Sequence, residues 1–115
     1  MADDGAGAVS VLTLAEPRID YEKSAAFRDQ LFDALAARPG SLVIDFSAVL
    51  SISSVGLRAL VAASKQAKAA GHQIVIAGLQ PLVREVFRIS GFDRLIAVYP
   101  SLEAAHAALA APPAP

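Results

Sequence analysis

Two rhythms of apolar and polar positions run through this chain. Val9-Ser10-Val11-Leu12-Thr13-Leu14 alternates with period two, and its Val and Thr content predicts a strand. Leu12 and Leu14 share a face with Ser10 there. Glu16-Pro17 breaks the run, and Arg18-Ile19 reads as a short second strand or a bend. The rhythm then changes to helical. Phe27, Leu31, Ala34 and Leu35 fall on one stripe, which predicts a helix near 21–37 with Asp20 as its N-cap and Arg38-Pro39-Gly40 as its end. Leu42-Val43-Ile44-Asp45-Phe46 is almost unbroken apolar, as in a strand covered on both faces.

The next helical stripe spans 55–70. Leu57, Leu60, Val61, Ser64 and Ala67 lie on its inner side, and Arg58, Ala62, Lys65 and Ala69 on its outer side. Gly56 lies at the edge of the inner side, where a missing side chain permits close approach to the sheet, and Gly71 follows as a helix stop. Gln73 to Gly78 predicts another strand. Pro81 opens a third helix over 81–90, lined by Leu82, Val83, Val86, Phe87 and Ile89 and stopped by Gly91. Leu95-Ile96-Ala97-Val98 predicts a last strand, and Ser101 caps a final helix over 101–110.

Strands alternating with helices give an α/β domain, here with about four helices and a sheet of four to five strands. The first segment lacks a full helix before the next strand, so an antiparallel edge strand and hence a mixed sheet are expected. Residues 1–7 are expected to be a flexible N-terminus, 8–110 the single domain, and 111–115 a flexible Pro/Ala tail.

Composition narrows the function classes. At 115 residues, 55% hydrophobic and 18% charged, the chain can bury a core. A net charge of −1 with no basic stripe argues against nucleic acid as a partner. Cys is absent, which removes disulfides, thiol catalysis and thiolate metal sites. The apolar runs fall short of the ~20 residues of a membrane span, and the start is acidic rather than signal-like, so the expected location is cytoplasmic.

Enzyme chemistry finds little support. His72 and His106 have no carboxylate or second His at a ligand spacing, so no metal site is expected. No glycine-rich phosphate loop and no nucleophile–base pair can be assembled, so neither a cofactor nor a catalytic residue is expected. Asp45, at the end of a strand, reads as a carboxylate accepting loop amide hydrogen bonds. The sharper alternative is a phospho-accepting aspartate, as in a receiver domain. That needs an acidic pair after the first strand and a Lys after the last, where this chain has only Glu16 and Tyr99-Pro100.

The informative stretch is Ser51-Ile52-Ser53-Ser54-Val55-Gly56-Leu57-Arg58, at the seam between the Leu42–Phe46 strand and the second helix. Hydroxyls cluster where a helix start leaves N–H groups without partners, so Ser53 or Ser54 is either a cap or a phosphorylation site. Several stretches together resemble the STAS domain, the fold of anti-sigma-factor antagonists. Val43-Ile44-Asp45-Phe46-Ser47 is similar to the family's strand ending in Asp, and Ile52-Ser53-Ser54-Val55-Gly56-Leu57 to a variant of its Asp-Ser-Ser-Gly-Leu motif. Ala70-Gly71-His72-Gln73-Ile74-Val75-Ile76 resembles its next turn and strand. Val83 to Phe92 resembles its third helix and stopping Gly, and Ile19-Asp20 the pair before its first helix.

The resemblance implies that Ser54 is the phosphorylated serine, with Ser53 second, and that Asp20, Ser53, Ser54, Gly56 and Arg58 form the partner-binding set. It also implies a non-enzymatic partner switch. The domain would bind an anti-sigma factor that is itself a serine kinase, release it when phosphorylated, and be reset by a metal-dependent serine phosphatase. Ser53 stands where the family has Asp, Val55 where it has a second Ser, and Pro17 where it often has Gly. These departures leave open a non-phosphorylated structural role, as a STAS subunit of a transporter or signalling scaffold.

Overall fold

The structure is a computed structural model and describes residues 9–38 and 40–110. The termini expected to be loose, 1–7 and 111–115, lie outside the described residues. In chain order the elements are β1 (Val9–Thr13), β2 (Arg18–Ile19), α1 (Ser24–Ala37), β3 (Ser41–Asp45), β4 (Ser51–Ile52), α2 (Ser54–Ala69), β5 (Ile74–Ala77), α3 (Pro81–Ser90), β6 (Val98–Tyr99) and α4 (Leu102–Ala110).

β1, β3, β5 and β6 form one sheet in the order β1-β3-β5-β6, and β2 pairs with β4 in a separate two-stranded sheet. Every pairing is parallel. The expected antiparallel edge strand, and with it the mixed sheet, is therefore not found among the described residues. The reason is that Arg18-Ile19 does not turn back along β1. It leaves the main sheet for β4, and the 14-residue α1 supplies the crossover that a parallel β1–β3 pair requires.

Continuous apolar character in β3 and β5 follows from their cover on both faces. Leu42, Ile44, Ile74 and Ile76 point into the main core, which α1, α2 and α3 close with Phe27, Leu31, Leu57, Leu60, Val83 and Phe87. Val43, Val75 and Ala77 point the other way, onto Ala105 of α4. Phe46 and Phe87 meet edge to face at 6.0 Å in the main core. In α2, Ala59 and Ala63 are buried as well as the expected Leu57, Leu60, Ser64 and Ala67, because α1 packs along its flank.

Two expected elements change. In α3 only Val83 and Phe87 are buried, while Leu82 and Ile89 are 74% and 71% exposed. The expected strand at Leu95–Val98 shifts to Val98–Tyr99. A 3₁₀ turn at Phe92–Arg94 draws the amides of Leu95 and Ile96 back to the Phe92 carbonyl, so contact with β5 begins only at Ala97.

Candidate functional site

Ser53 and Ser54 are chemically alike but differently placed. Ser53 is the N-cap of α2, with extended backbone, and its Oγ accepts the Gly56 N–H at 3.1 Å. Its Oγ also lies 3.1 Å from Ser24 Oγ, across to the first residue of α1. Ser24 donates its single hydroxyl proton to the Asp20 carbonyl at 2.8 Å, so the proton between the two serines comes from Ser53. The Ser53 hydroxyl is thus engaged as acceptor and as donor. Ser54 is the first residue of α2. It is exposed, and its hydroxyl makes no hydrogen bond among the described residues.

The backbone leading into this serine pair is pinned from outside the main sheet. The Pro17 carbonyl accepts the N–H groups of Leu50 and Ser51, and the Ile19 carbonyl accepts that of Ser53 at 2.8 Å. The strand formed by Ser51-Ile52 was not expected from the sequence. Behind it, Gly56 is buried, and a Cβ built there would sit 2.9 Å from Ile52 Cγ1 and 3.2 Å from Ile19 Cγ2. The close approach expected at Gly56 is therefore real, and it is to the β2–β4 pair rather than to the main sheet. Gly56 thus lies beneath the surface, where its missing side chain leaves room for Ile52 and Ile19.

Asp20 is exposed in the turn before α1. It caps this turn rather than the helix itself: its Oδ1 accepts the Lys23 N–H at 3.1 Å, one residue short of the α1 start. The Lys23 ammonium bonds Glu16 Oε1 at 2.8 Å, and that hydrogen bond raises the Lys23 pKa above its ordinary value. The chain Asp20 carbonyl, Ser24 hydroxyl, Ser53 hydroxyl brings Asp20 and the α2 start to one end of the molecule. Arg58 is exposed one turn further along α2. It borders an open groove of about 650 Å³ between α1 and α2, lined by Tyr21, Ala25, Arg28, Val55, Ala59 and Ala62 among others.

Asp20, Ser53, Ser54 and Arg58 thus come together, with Asp20, Ser54 and Arg58 exposed, Ser53 partly buried and Gly56 fully covered. Sequence reasoning missed Ser24, which is only 4% exposed. Its signal was its place three residues before Phe27 on the apolar stripe of α1. Tyr21 and Arg28 carried no such signal. Asp45 does what a loop-capping carboxylate does, since its Oδ1 accepts the Ser47 N–H at 2.9 Å. Among the described residues no three His, Asp or Glu side chains gather into a metal-ligating group, and no helix is long and apolar enough to cross a membrane.

Comparison with known proteins gives a consistent set of likenesses. A family model described as the STAS domain matches residues 2–105. BtrV of Bordetella bronchiseptica, named as a candidate anti-sigma factor antagonist, is 39% identical over 89 residues, covering 74% of this chain and 77% of the relative. The solved structure of an anti-sigma factor antagonist from Mycobacterium paratuberculosis is similar with a TM-score of 0.78 at 29% identity, covering 95% of this chain and 89% of that one. The murine anion transporter Slc26a9 shares the fold, with a TM-score of 0.75 at 22% identity, covering 90% of this chain and 18% of the transporter.

Proposed function

The chain belongs to the STAS-domain family, and from that premise we propose that it is a phosphorylation-controlled anti-sigma-factor antagonist whose switch is Ser54. The protein acts by binding rather than by catalysis. Unphosphorylated, it docks an anti-sigma factor through the end of the molecule that presents Asp20, Ser54 and Arg58. The partner is a serine kinase: it transfers the γ-phosphoryl of ATP to Ser54 Oγ, the hydroxyl proton departs, and ADP is left. A metal-dependent serine phosphatase restores the hydroxyl. Both partners are cytoplasmic proteins, and so is this chain. The antagonist name carried by the 39% identical relative supports the role.

One observation carries the choice of residue. Ser54 is exposed with its hydroxyl unengaged among the described residues, whereas the Ser53 hydroxyl is used on both sides. Phosphate on Ser54 adds about −1.5 to −2 charges at pH 7. At the first residue of α2 those charges meet open N–H groups and the positive end of the helix, so the fold survives. The docking surface does not survive unchanged, because a partner would have to strip water from a dianion to cover it.

A second reading is a STAS subunit that is never phosphorylated, as part of a transporter or scaffold. It is favoured by Ser53 standing in place of the family's Asp, and by the fold shared with Slc26a9. Mass spectrometry after incubation with the cognate kinase and ATP separates the two. Phosphate on Ser54 and none on the Ser54→Ala protein, which still binds the kinase, is the expected result. Ser54→Ala modified as fully as wild type moves the site to Ser53. No phosphate anywhere, with the kinase active on another substrate, sinks the switch and leaves the scaffold reading.

A further inference from the structure

We propose that a phosphate on Ser54 takes Arg58 as its counter-ion, and so withdraws that guanidinium from the α1–α2 groove. The inference rests on Ser54 being the modified residue. It concerns what the modification does to the rest of the docking face.

Ser54 and Arg58 are four residues apart on α2, about 6 Å along the helix axis and on the same face. Helical Cα–Cβ bonds tilt toward the N-terminus, and long side chains lie back over the preceding turn. Arg58, which borders the groove, is thus within a rotamer change of the turn that carries Ser54. The order is the favourable one, with the anion N-terminal to the cation and at the positive end of the helix. Both residues are exposed, and Arg58 forms no ion pair among the described residues, so nothing there competes for its fork of N–H donors. That fork matches phosphate oxygens in a bidentate arrangement.

The surrounding charges do not supply the same service. Asp20 and Glu22, in the turn before α1, repel a phosphate, and Arg18 is exposed on β2 opposite Ser51, near the site but without the same-helix i,i+4 relation to Ser54 that Arg58 has. Arg28 also borders the groove, but its guanidinium is held over the Phe32 ring at 4.7 Å. Phe32 is one turn further along α1, whereas the Ser24–Ser53 bond joins the beginnings of α1 and α2, so Arg28 is drawn away from Ser54. Phosphorylation would then alter the docking face twice. It adds an anion, and it removes one of the two cations that border the groove.

The test uses the full chain with phosphoserine installed at position 54 during translation, compared as wild type, Arg58→Gln, Arg58→Lys and Arg28→Gln. Phosphorus NMR follows the second phosphate ionisation, and circular dichroism checks that each variant keeps its helices. A guanidinium partner favours the dianion, so the wild-type pKa should lie about 0.3 pH unit below that of Arg58→Gln. Arg58→Lys should keep part of the difference, and Arg28→Gln should titrate within about 0.1 pH unit of wild type. Coincident curves for wild type and Arg58→Gln would overturn the pairing, and so would an Arg28→Gln shift as large as that of Arg58→Gln. Because the phosphate is installed without a kinase, this result stands apart from whether any kinase modifies Ser54.

Discussion

Replacing Gly56 by alanine adds one carbon, and the structure states what that carbon meets. It would lie 2.9 Å from Ile52 Cγ1, 3.2 Å from Ile52 Cδ1 and 3.2 Å from Ile19 Cγ2. Ile19 is 1% exposed and cannot step aside, so Ile52, which is partly exposed, must carry the adjustment. Overpacking of this kind costs about 1–3 kcal/mol. The gain in helix propensity offsets up to about 1 kcal/mol of it, and less in a first turn. The net expectation is a loss of ~1–2 kcal/mol, or about 4–8 °C in Tm for a domain of this size. Urea unfolding followed by circular dichroism measures it. Ile52→Ala provides the second edge of a double-mutant cycle, since it deletes both Ile52 atoms involved; in that background the Gly56→Ala penalty should fall by about half or more. A Gly56→Ala protein as stable as wild type, or an equal penalty with Ile52 truncated, would refute the reasoning.

Other outcomes are expected at the same end of the molecule and beyond it. Ser53→Ala should cost about 1–2 kcal/mol in the same assay, since the Gly56 N–H loses its acceptor and the bond to Ser24 is lost with it. Ser54→Ala should stay within about 0.5 kcal/mol of wild type, because the exposed hydroxyl holds nothing in the fold. Arg88 donates two hydrogen bonds to Glu85, and they hold that carboxyl below its ordinary pKa. A depressed folded pKa means that the pair contributes above the unfolded value and fades as pH falls through the folded one. The pair is exposed, so Glu85→Gln should only slightly flatten the acid limb of a stability–pH curve.

What could be read from the sequence follows the strength of each periodic signal. β3 and β5 announce themselves because both faces are covered, by three helices on one side and α4 on the other. The α1 and α2 stripes are long enough to average over single positions. A strand of two residues has no period to detect, so Ser51-Ile52 left no trace, and the pairing of Arg18-Ile19 was invisible with it. That one missing partner also produced the expectation of an antiparallel edge. In α3 the apolar residues form one broad arc opposite Arg84, Glu85 and Arg88, and pattern alone does not say that only the Val83–Phe87 side of that arc is covered while Leu82, Val86 and Ile89 face out. At the site, Ser53 and Ser54 are interchangeable on paper. They separate when the Ser53 hydroxyl takes the α2 N-cap and Ser24 is brought alongside it from 29 residues earlier in the chain.

The β2–β4 pair also bears on how any modifying enzyme must recognise this protein. Three main-chain hydrogen bonds from Leu50, Ser51 and Ser53 fasten the segment before Ser54 to Pro17 and Ile19, and the segment after it is already helix. A kinase that reads its substrate as an extended strand would have to unfasten those bonds and unwind the first turn of α2 before reaching the hydroxyl. The residues flanking Ser54 are therefore not a consensus to be scanned as linear sequence. If Ser54 is modified as proposed, the substrate is a shape assembled from chain segments far apart in order, and an isolated peptide spanning residues 48–60 would lack it. Specificity of this kind resides in tertiary structure, so unfolding the domain would erase the recognition site together with the fold.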